Sequence, residues 1–320
     1  MHNHQDLLNI VAFIEKYDRF LVLGHVAPDG DCIGSQLALM LFLRRLGKQA
    51  EVASVGPFNK NEVKAHEGLF MREITEEWAD AAVFIVDCAT FERTGFAPFG
   101  VEARSIDHHA SVEAGAVSGL IDATSPSATL LVQRVIEAFT LGMSEEEAHW
   151  LFLGFTTDTG FFRHLRAYSG EHVRQASKLI DLGASPAETF ALLEGGYCLR
   201  DRQYLGRLLA SSQSFFDDKV IIVEDHVQTV KEEGAPSRDS DTLYRLLLSA
   251  EATEVVIVLR MDEEQTTVGL RSKDYVDVGT IAQSLGGGGH ARASGCTVKS
   301  QEHPLADLKE YLLEQIQRQL

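Results

Sequence analysis

The sequence is short of cysteine, of basic residues and of long apolar runs, and each shortage removes a class of protein. Cys32, Cys88, Cys198 and Cys296 are the only four cysteines in 320 residues, and they lie far apart. They form neither a C-x-x-C pair nor a dense framework, so reduced, structural thiols are expected. Lys and Arg number 29 against 47 Asp and Glu, a net charge of −18 that argues against coating long nucleic acid through a broad basic surface. A small anion held in one local pocket stays compatible with that charge. The longest apolar runs, such as LALMLFL at 37–43, fall well short of the roughly 20 residues that a membrane span needs. The polar start MHNHQD lacks a signal-peptide pattern, so a cytoplasmic protein with no membrane partner is expected. No repeat or low-complexity segment is present.

What remains is an ordinary globular balance, 45% hydrophobic and 24% charged, in a chain long enough for two domains. FLVLG at 20–24 reads as a buried strand and 33–46 as a helix with one apolar face; the turn between them, GHVAPDGD at 24–31, carries a histidine and two acids. A second strand, AVFIV at 82–86, ends at Asp87, and a shorter one, ARSI at 103–106, ends at Asp107, His108 and His109. Strands alternating with helices imply an α/β fold with a parallel sheet, whose ligands sit at the carboxyl ends of the strands. Ser144 and Glu147 make a capping box for a helix that TDTG at 157–160 terminates, delivering Asp158 at its end.

The turn residues DLGASP at 181–186 mark a break, and a charged helical stretch follows to about residue 212. The expected division is a first domain over 1–186, a helical linker over 187–212 and a second domain over 213–320. In the latter, 220–223, 255–259 and 267–271 read as strands, 278–285 as a helix, GGGGH at 286–290 follows, and a strand passes through 296–298.

His25, Asp29 and Asp31, spaced H-x-x-x-D-x-D, let one turn aim an imidazole and two carboxylates into one space. Oxygen and nitrogen donors without thiolate suit Mn²⁺ or Mg²⁺, and less exclusively Zn²⁺ or Fe²⁺. Read alone, the motif is equally an Asp-Gly turn with a helix cap at Asp31. The weight comes from Asp87, the His108–His109 pair and Asp158 at further strand and helix ends. Converging carboxylates repel by about 4 kcal/mol per close pair at 4 Å and an effective dielectric of 20, a penalty that bound cations would remove. Two metals about 3.5–4 Å apart would need a shared carboxylate and could clamp a phosphoryl group while activating a water. In the glycine run, residues without Cβ let backbone N–H groups approach a phosphate; His290 adds a donor, and Arg271 just upstream offers a planar fork. The bland reading of such a run is a flexible loop. Arg163 and His164 lie close behind Asp158 and are candidates for substrate contact, whereas His66, His149, His172, His226 and His303 are isolated.

The ordered set HVAPDGD at 25–31, VD at 86–87, DHH at 107–109, TDTG at 157–160 and GGGH at 287–290 resembles the DHH/DHHA1 phosphoesterases, most closely their NrnA-type oligoribonuclease and pAp-phosphatase branch. The motifs run in family order over nearly the whole chain. The resemblance implies a larger parallel-sheet DHH domain with helices on both faces and a smaller, mixed-sheet α/β DHHA1 domain. It implies two divalent cations, Mn²⁺ first and Mg²⁺ or another divalent ion as alternatives. One would be held by His25, Asp29 and Asp87, the other by Asp31, Asp87, His108 and Asp158, with Asp87 bridging. His109 would face the substrate phosphate as a catalytic group beside Asp87, and Asp107 would orient a neighbour. Arg271, Gly287, Gly288, Gly289 and His290 would recognise the terminal nucleotide.

The implied activity is hydrolysis of very short oligonucleotides, such as pApA, to nucleoside 5′-monophosphates, with removal of the 3′-phosphate of pAp. Short oligonucleotides or nucleoside bisphosphates would be the partners, with no long duplex, and a homodimer is left open. Family II pyrophosphatases and exopolyphosphatases look similar in the first motifs, but the GGGH segment with Arg271 disfavours them. A RecJ-like exonuclease fits worse, since no additional OB-type module or basic aromatic groove is evident. A nucleotide- or RNA-binding module without turnover is the alternative from another class, and it would have no need of a bridging Asp87.

Overall fold

The structure is a computed structural model that describes residues 2–109, 115–226 and 239–320. It divides into two compact units, Met1–Gly196 and Tyr197–Leu320.

The first unit runs α1 (His2–Lys16), β1 (Arg19–Leu23), α2 (Gly30–Arg45), β2 (Gln49–Ala53), α3 (Asn61–Lys64), β3 (Ala82–Val86), α4 (Phe91–Thr94), β4 (Ala103–Asp107), β5 (Gly119–Ile121), α5 (Ala128–Glu137), α6 (Glu145–Asp158), α7 (Gly170–Asp181) and α8 (Pro186–Glu194). Its sheet is parallel throughout, in the order β2-β1-β3-β4-β5. The central strands read as unbroken apolar runs because both faces are covered. Phe20, Val22, Phe84 and Val86 point into a core shared with α1, α2, α5 and α6. The alternate residues Leu21, Leu23, Val83 and Ile85 meet Trp78, Phe91 of α4 and Phe99 on the opposite face. Strand order reverses between β1 and β3, which opens a crevice at their carboxyl ends.

The second unit contains α9 (Leu199–Ala210), β6 (Gln213–Phe215), β7 (Val220–His226), α10 (Ser240–Leu248), β8 (Val255–Met261), β9 (Gln265–Ser272), α11 (Val278–Ser284), β10 (Gly288–His290), β11 (Ala293–Lys299) and α12 (Leu305–Gln317). The sheet order is β10-β11-β9-β8-β7-β6, and only the β7–β8 pair is parallel, so the sheet is mixed. Val220, Ile222, Ile257, Val268 and Leu270 pack with α11 and α12, while Ile221, Val223, Val256 and Val258 pack with Tyr204 of α9 and Tyr244 of α10.

The stretch 187–212 divides between the units. α8 belongs to the first, where Asn61 Nδ2 donates to Gly195 O at 3.3 Å, and α9 packs in the second through Tyr204, Leu205 and Leu208. Among the described residues, no helix is long and apolar enough to cross a membrane.

Candidate functional site

Every acidic or imidazole candidate in the first unit sits where a strand or helix ends. The turn after β1 holds His25 and Asp29, and Asp29 N-caps α2: its Oδ1 accepts from the backbone N–H groups of Asp31 and Cys32, both at 3.1 Å. The cap is therefore Asp29 and not Asp31. Asp31, inside the first turn of α2 and fully buried, instead turns its carboxylate to the start of α5, accepting from Ala128 N at 2.6 Å and Thr129 N at 2.9 Å. Two N–H groups that the helix leaves unpaired thereby hold Asp31 in place.

α2 and α6 cross closely because glycine replaces side chains at the contact. A Cβ on Gly30 would lie 2.1 Å from Thr157 Oγ1, one on Gly34 2.5 Å from Trp150 O, and one on Gly154 2.7 Å from Asp31 Oδ1. This approach brings Asp158, at the end of α6, toward Asp31. Asp87 follows β3 with φ 58°, a left-handed backbone conformation that an Asp tolerates better than most residues.

The side chains converge. Asp87 Oδ2 lies 3.2 Å from His25 Nε2 and Asp87 Oδ1 lies 3.3 Å from His108 Nε2. His108 Nε2 is also 3.1 Å from Asp158 Oδ2 and 3.8 Å from Asp31 Oδ2. Asp29 stands at the margin: its nearer oxygen is 3.9 Å from His25 Nε2 but already serves the helix cap, and its other oxygen is 3.4 Å from Lys60 Nζ. His109 Nδ1 is 2.7 Å from Asp107 Oδ1, which also accepts His109 N–H. Asp107 thus orients His109, leaving His108 to the carboxylates.

Electrostatics shows how strained this concentration of charge is. Burial works against a charge on His108, yet the carboxylates of Asp158 and Asp87, with the charge of Asp31, outweigh it and push the imidazole up to about 11. Burial also opposes a charge on Asp87, but His108 and His25 hold its carboxyl down to about 2. Asp31 is driven well above the usual carboxylate range, by burial first and then by Asp158 and Asp87. Asp158 is raised too, mainly by burial. The pocket demands positive charge.

A cation fits that demand. Asp87 Oδ1 and His108 Nε2 are buried atoms that make no hydrogen bond of proper geometry among the described residues, the pattern of donors aimed at something else. Asp31, His108 and Asp158 each offer a ligand atom within 4.8 Å of the others, and so do Asp87, His108 and His109. Cys32 is as close to His25 and Asp87, but burial and the charges of Asp87 and Asp29 keep its thiol protonated, and it points to Gln36 Oε1 at 3.7 Å.

In the second unit the glycine run differs from a loop. Gly288–His290 form edge strand β10, paired antiparallel with β11, so part of its backbone N–H row is taken up by the sheet. Gly287 and Gly289 are glycine for packing: a Cβ at Gly287 would lie 2.2 Å from Gly295 O, and one at Gly289 2.6 Å from Ala293 O. Gly288 faces open space, and Gly288, Gly289 and His290 are exposed. Register sets Arg271, Ala293 and His290 side by side across β9, β11 and β10. The Arg271 guanidinium lies over the Tyr244 ring, 4.9 Å from its centroid.

Lys60 and Tyr244 carried no motif signal. Gly154 carried only the weak one of a glycine inside a helix. Lys273 is structural, donating to Ala250 O at 2.9 Å.

The DHH family, N-terminal domain, matches residues 19–155, and the DHHA1 domain matches 221–319. The chain is 30% identical over 300 residues to the bifunctional oligoribonuclease and PAP phosphatase NrnA of Thermus thermophilus, covering 92% of this chain and 88% of that one. The chain belongs to the DHH/DHHA1 phosphoesterase family. Its NrnA-named relative from Bacillus subtilis is 24% identical over 309 residues, with 94% of this chain and 96% of the relative covered. The crystal structure of an exopolyphosphatase-related protein from Bacteroides fragilis superposes with a TM-score of 0.86 at 22% identity, covering 98% of this chain and 96% of that one, which shows a shared fold. Both domains of a DHH/DHHA1 chain are therefore present, in family order.

Proposed function

We propose that the chain is a metal-dependent phosphoesterase that cleaves very short oligonucleotides, pApA among them, to nucleoside 5′-monophosphates and removes the 3′-phosphate of pAp. The observation that carries the reading is the two-sided Asp87, whose two oxygens address His25 and His108 separately. The NrnA-named relatives, similar over nearly their whole length, support it.

One cation would be held by His25, Asp29 and Asp87, the other by Asp31, Asp87, His108 and Asp158. The all-oxygen-and-nitrogen donor set favours Mn²⁺, then Mg²⁺. Divalent ions there would supply Lewis-acid charge to the phosphoryl group and lower the pKa of water. The chain's own residues do the rest. Asp107 fixes His109 through Nδ1, which leaves Nε2 to stabilise phosphate charge or to pass a proton to the leaving oxygen. Arg271, His290 and the exposed backbone at Gly288 would receive a second phosphate, with Tyr244 holding the guanidinium plane. A short substrate, with few phosphates to neutralise, is compatible with a net charge of −18, which disfavours a long duplex.

The test is to incubate pApA and pAp with the protein and Mn²⁺, beside Asp87→Ala, and to quantify nucleotides by chromatography. Mononucleotide from wild type, with a loss of about a thousandfold in the variant, is expected. Equal product from both proteins would reject the shared-carboxylate mechanism.

A further inference from the structure

Two residues after Asp158 the backbone begins three consecutive left-handed residues: Gly160 at φ 53°, Phe161 at 55° and Phe162 at 74°. Two aromatic residues in that region are strained, and such strain persists only where the surroundings hold it. Here the rings hold it. Phe161 packs against Phe152 at 6.4 Å and Phe190 at 5.2 Å, and Phe162 against Phe155 at 5.4 Å, so both join the main core.

With the phenylalanines pinned inward, Arg163, His164 and Arg166 turn to solvent. Arg163 Nε donates to Gly160 O at 2.7 Å, and His164 Nδ1 is 3.2 Å from Asp158 O, which ties this segment to the residue that faces His108. Tyr168 follows, left-handed at φ 71° and fully exposed. Arg163, Arg166 and Arg174 form no ion pair among the described residues, in a chain with 47 acidic side chains available. A turn that served only to end α6 would need neither two exposed guanidinium groups nor a bare aromatic ring.

We propose that residues 163–168 form a basic arm that grips the part of an oligonucleotide lying beyond the scissile phosphate. Arg163 and Arg166 take the next phosphate and Tyr168 stacks on the next base, the pairing of charge and ring by which single strands are held. The inference rests on the function proposed above and adds substrate length to it: a mononucleoside bisphosphate has no nucleotide to offer the arm, whereas a tri- or tetranucleotide does.

The experiment compares wild type, Arg163→Gln/Arg166→Gln and Tyr168→Ala on pAp and on 5′-phosphorylated tetra-adenylate, with Mn²⁺ and over a series of salt concentrations. The ratio of kcat/KM for tetra-adenylate to that for pAp is expected to fall about tenfold or more in each variant, through KM. The salt dependence for tetra-adenylate should become shallower by a log–log slope of about 1.4 in the double variant, for two lost phosphate contacts. An unchanged ratio overturns the arm. Fluorescence anisotropy of labelled tetra-adenylate, with Ca²⁺ in place of Mn²⁺, reads the arm independently of turnover. Equal binding by wild type and double variant overturns it, as does a wild type that does not bind. Weaker binding by the double variant supports it, and if wild type binds with Ca²⁺ yet hydrolyses neither substrate with Mn²⁺, the hydrolase reading fails while the arm stands.

Discussion

Gly154 lies so near Asp31 that a Cβ there would sit 2.7 Å from the Asp31 carboxylate and 2.9 Å from its Cα. Helix α6 therefore presses its backbone against the acid that α2 supplies. Gly154→Ala should push Asp31 off its position at the cost of about 1–3 kcal/mol in stability. Its Mn²⁺ affinity, measured by isothermal titration calorimetry, should fall by about 10–100-fold, the usual penalty for a disturbed ligand support. Wild-type affinity in a folded variant would mean that Asp31 does not reach the metal.

Cation binding should be visible as stability. At a concentration a hundred times the dissociation constant, Mn²⁺ should add about 2.7 kcal/mol. For a unit of this size that corresponds to about 5–10 °C in Tm. Thermal unfolding followed with and without Mn²⁺ checks this. Asp158→Asn should lose most of the increment, because it removes a carboxylate that faces His108 at 3.1 Å. A variant that keeps the full increment would take Asp158 out of the cation site.

Asp107 and His109 form a separable pair. Asp107→Asn keeps the size of the side chain but loses the charge that grips His109 Nδ1 at 2.7 Å. The expected result is a kcat for pApA lower by about 10–100-fold, in the range of a lost acid or orienting group. Mn²⁺ affinity should move much less, since Asp107 has no place among the proposed ligands. A fall in affinity that matches the fall in kcat would make Asp107 a support of the metal rather than of the proton.

The glycines of the second unit divide by role. Gly287→Ala should destabilise by about 1–3 kcal/mol, because its Cβ meets Gly295 O at 2.2 Å and sheet backbone cannot yield cheaply. Gly288→Ala should stay within about 0.5 kcal/mol of wild type in urea unfolding, because nothing lies within 4 Å of its Cβ. Its KM for pAp should nonetheless rise by about tenfold, the cost of a weakened charged hydrogen bond at a phosphate. An unaltered KM would remove the β10 backbone from phosphate recognition.

The candidates in the turn after β1, at the ends of β3 and β4 and at the end of α6 were legible because each follows an element whose period or cap is written locally. The strands through 220–223, 255–259 and 267–271 were legible for the same reason, and the structure extends each by two or three residues. What stayed hidden depends on distant partners. Nothing near Asp31 announces that its carboxylate would meet the first N–H groups of α5, 97 residues away. The glycine run reads as a loop because glycine has little propensity for strand, and β10 exists because β11 lies alongside it. α8 and α9 read as one linker because both are helical and charged, while the core that each joins is set by packing.

Asp29 starts α2, and Asp31, from inside its first turn, secures the start of α5, so two of the acids proposed to hold the cations are also the folding signals of the helices that frame the crevice. The charge proposed for the cations and the architecture are written in the same side chains. An asparagine at 29 could keep both cap hydrogen bonds through its single oxygen and preserve the shape of the domain while surrendering a negative charge, whereas at 31 it would lose one of two, because Asp31 accepts through both of its oxygens. Substitutions of this kind offer the shortest route by which a descendant of this chain could keep its fold and become a pure binder of nucleotides.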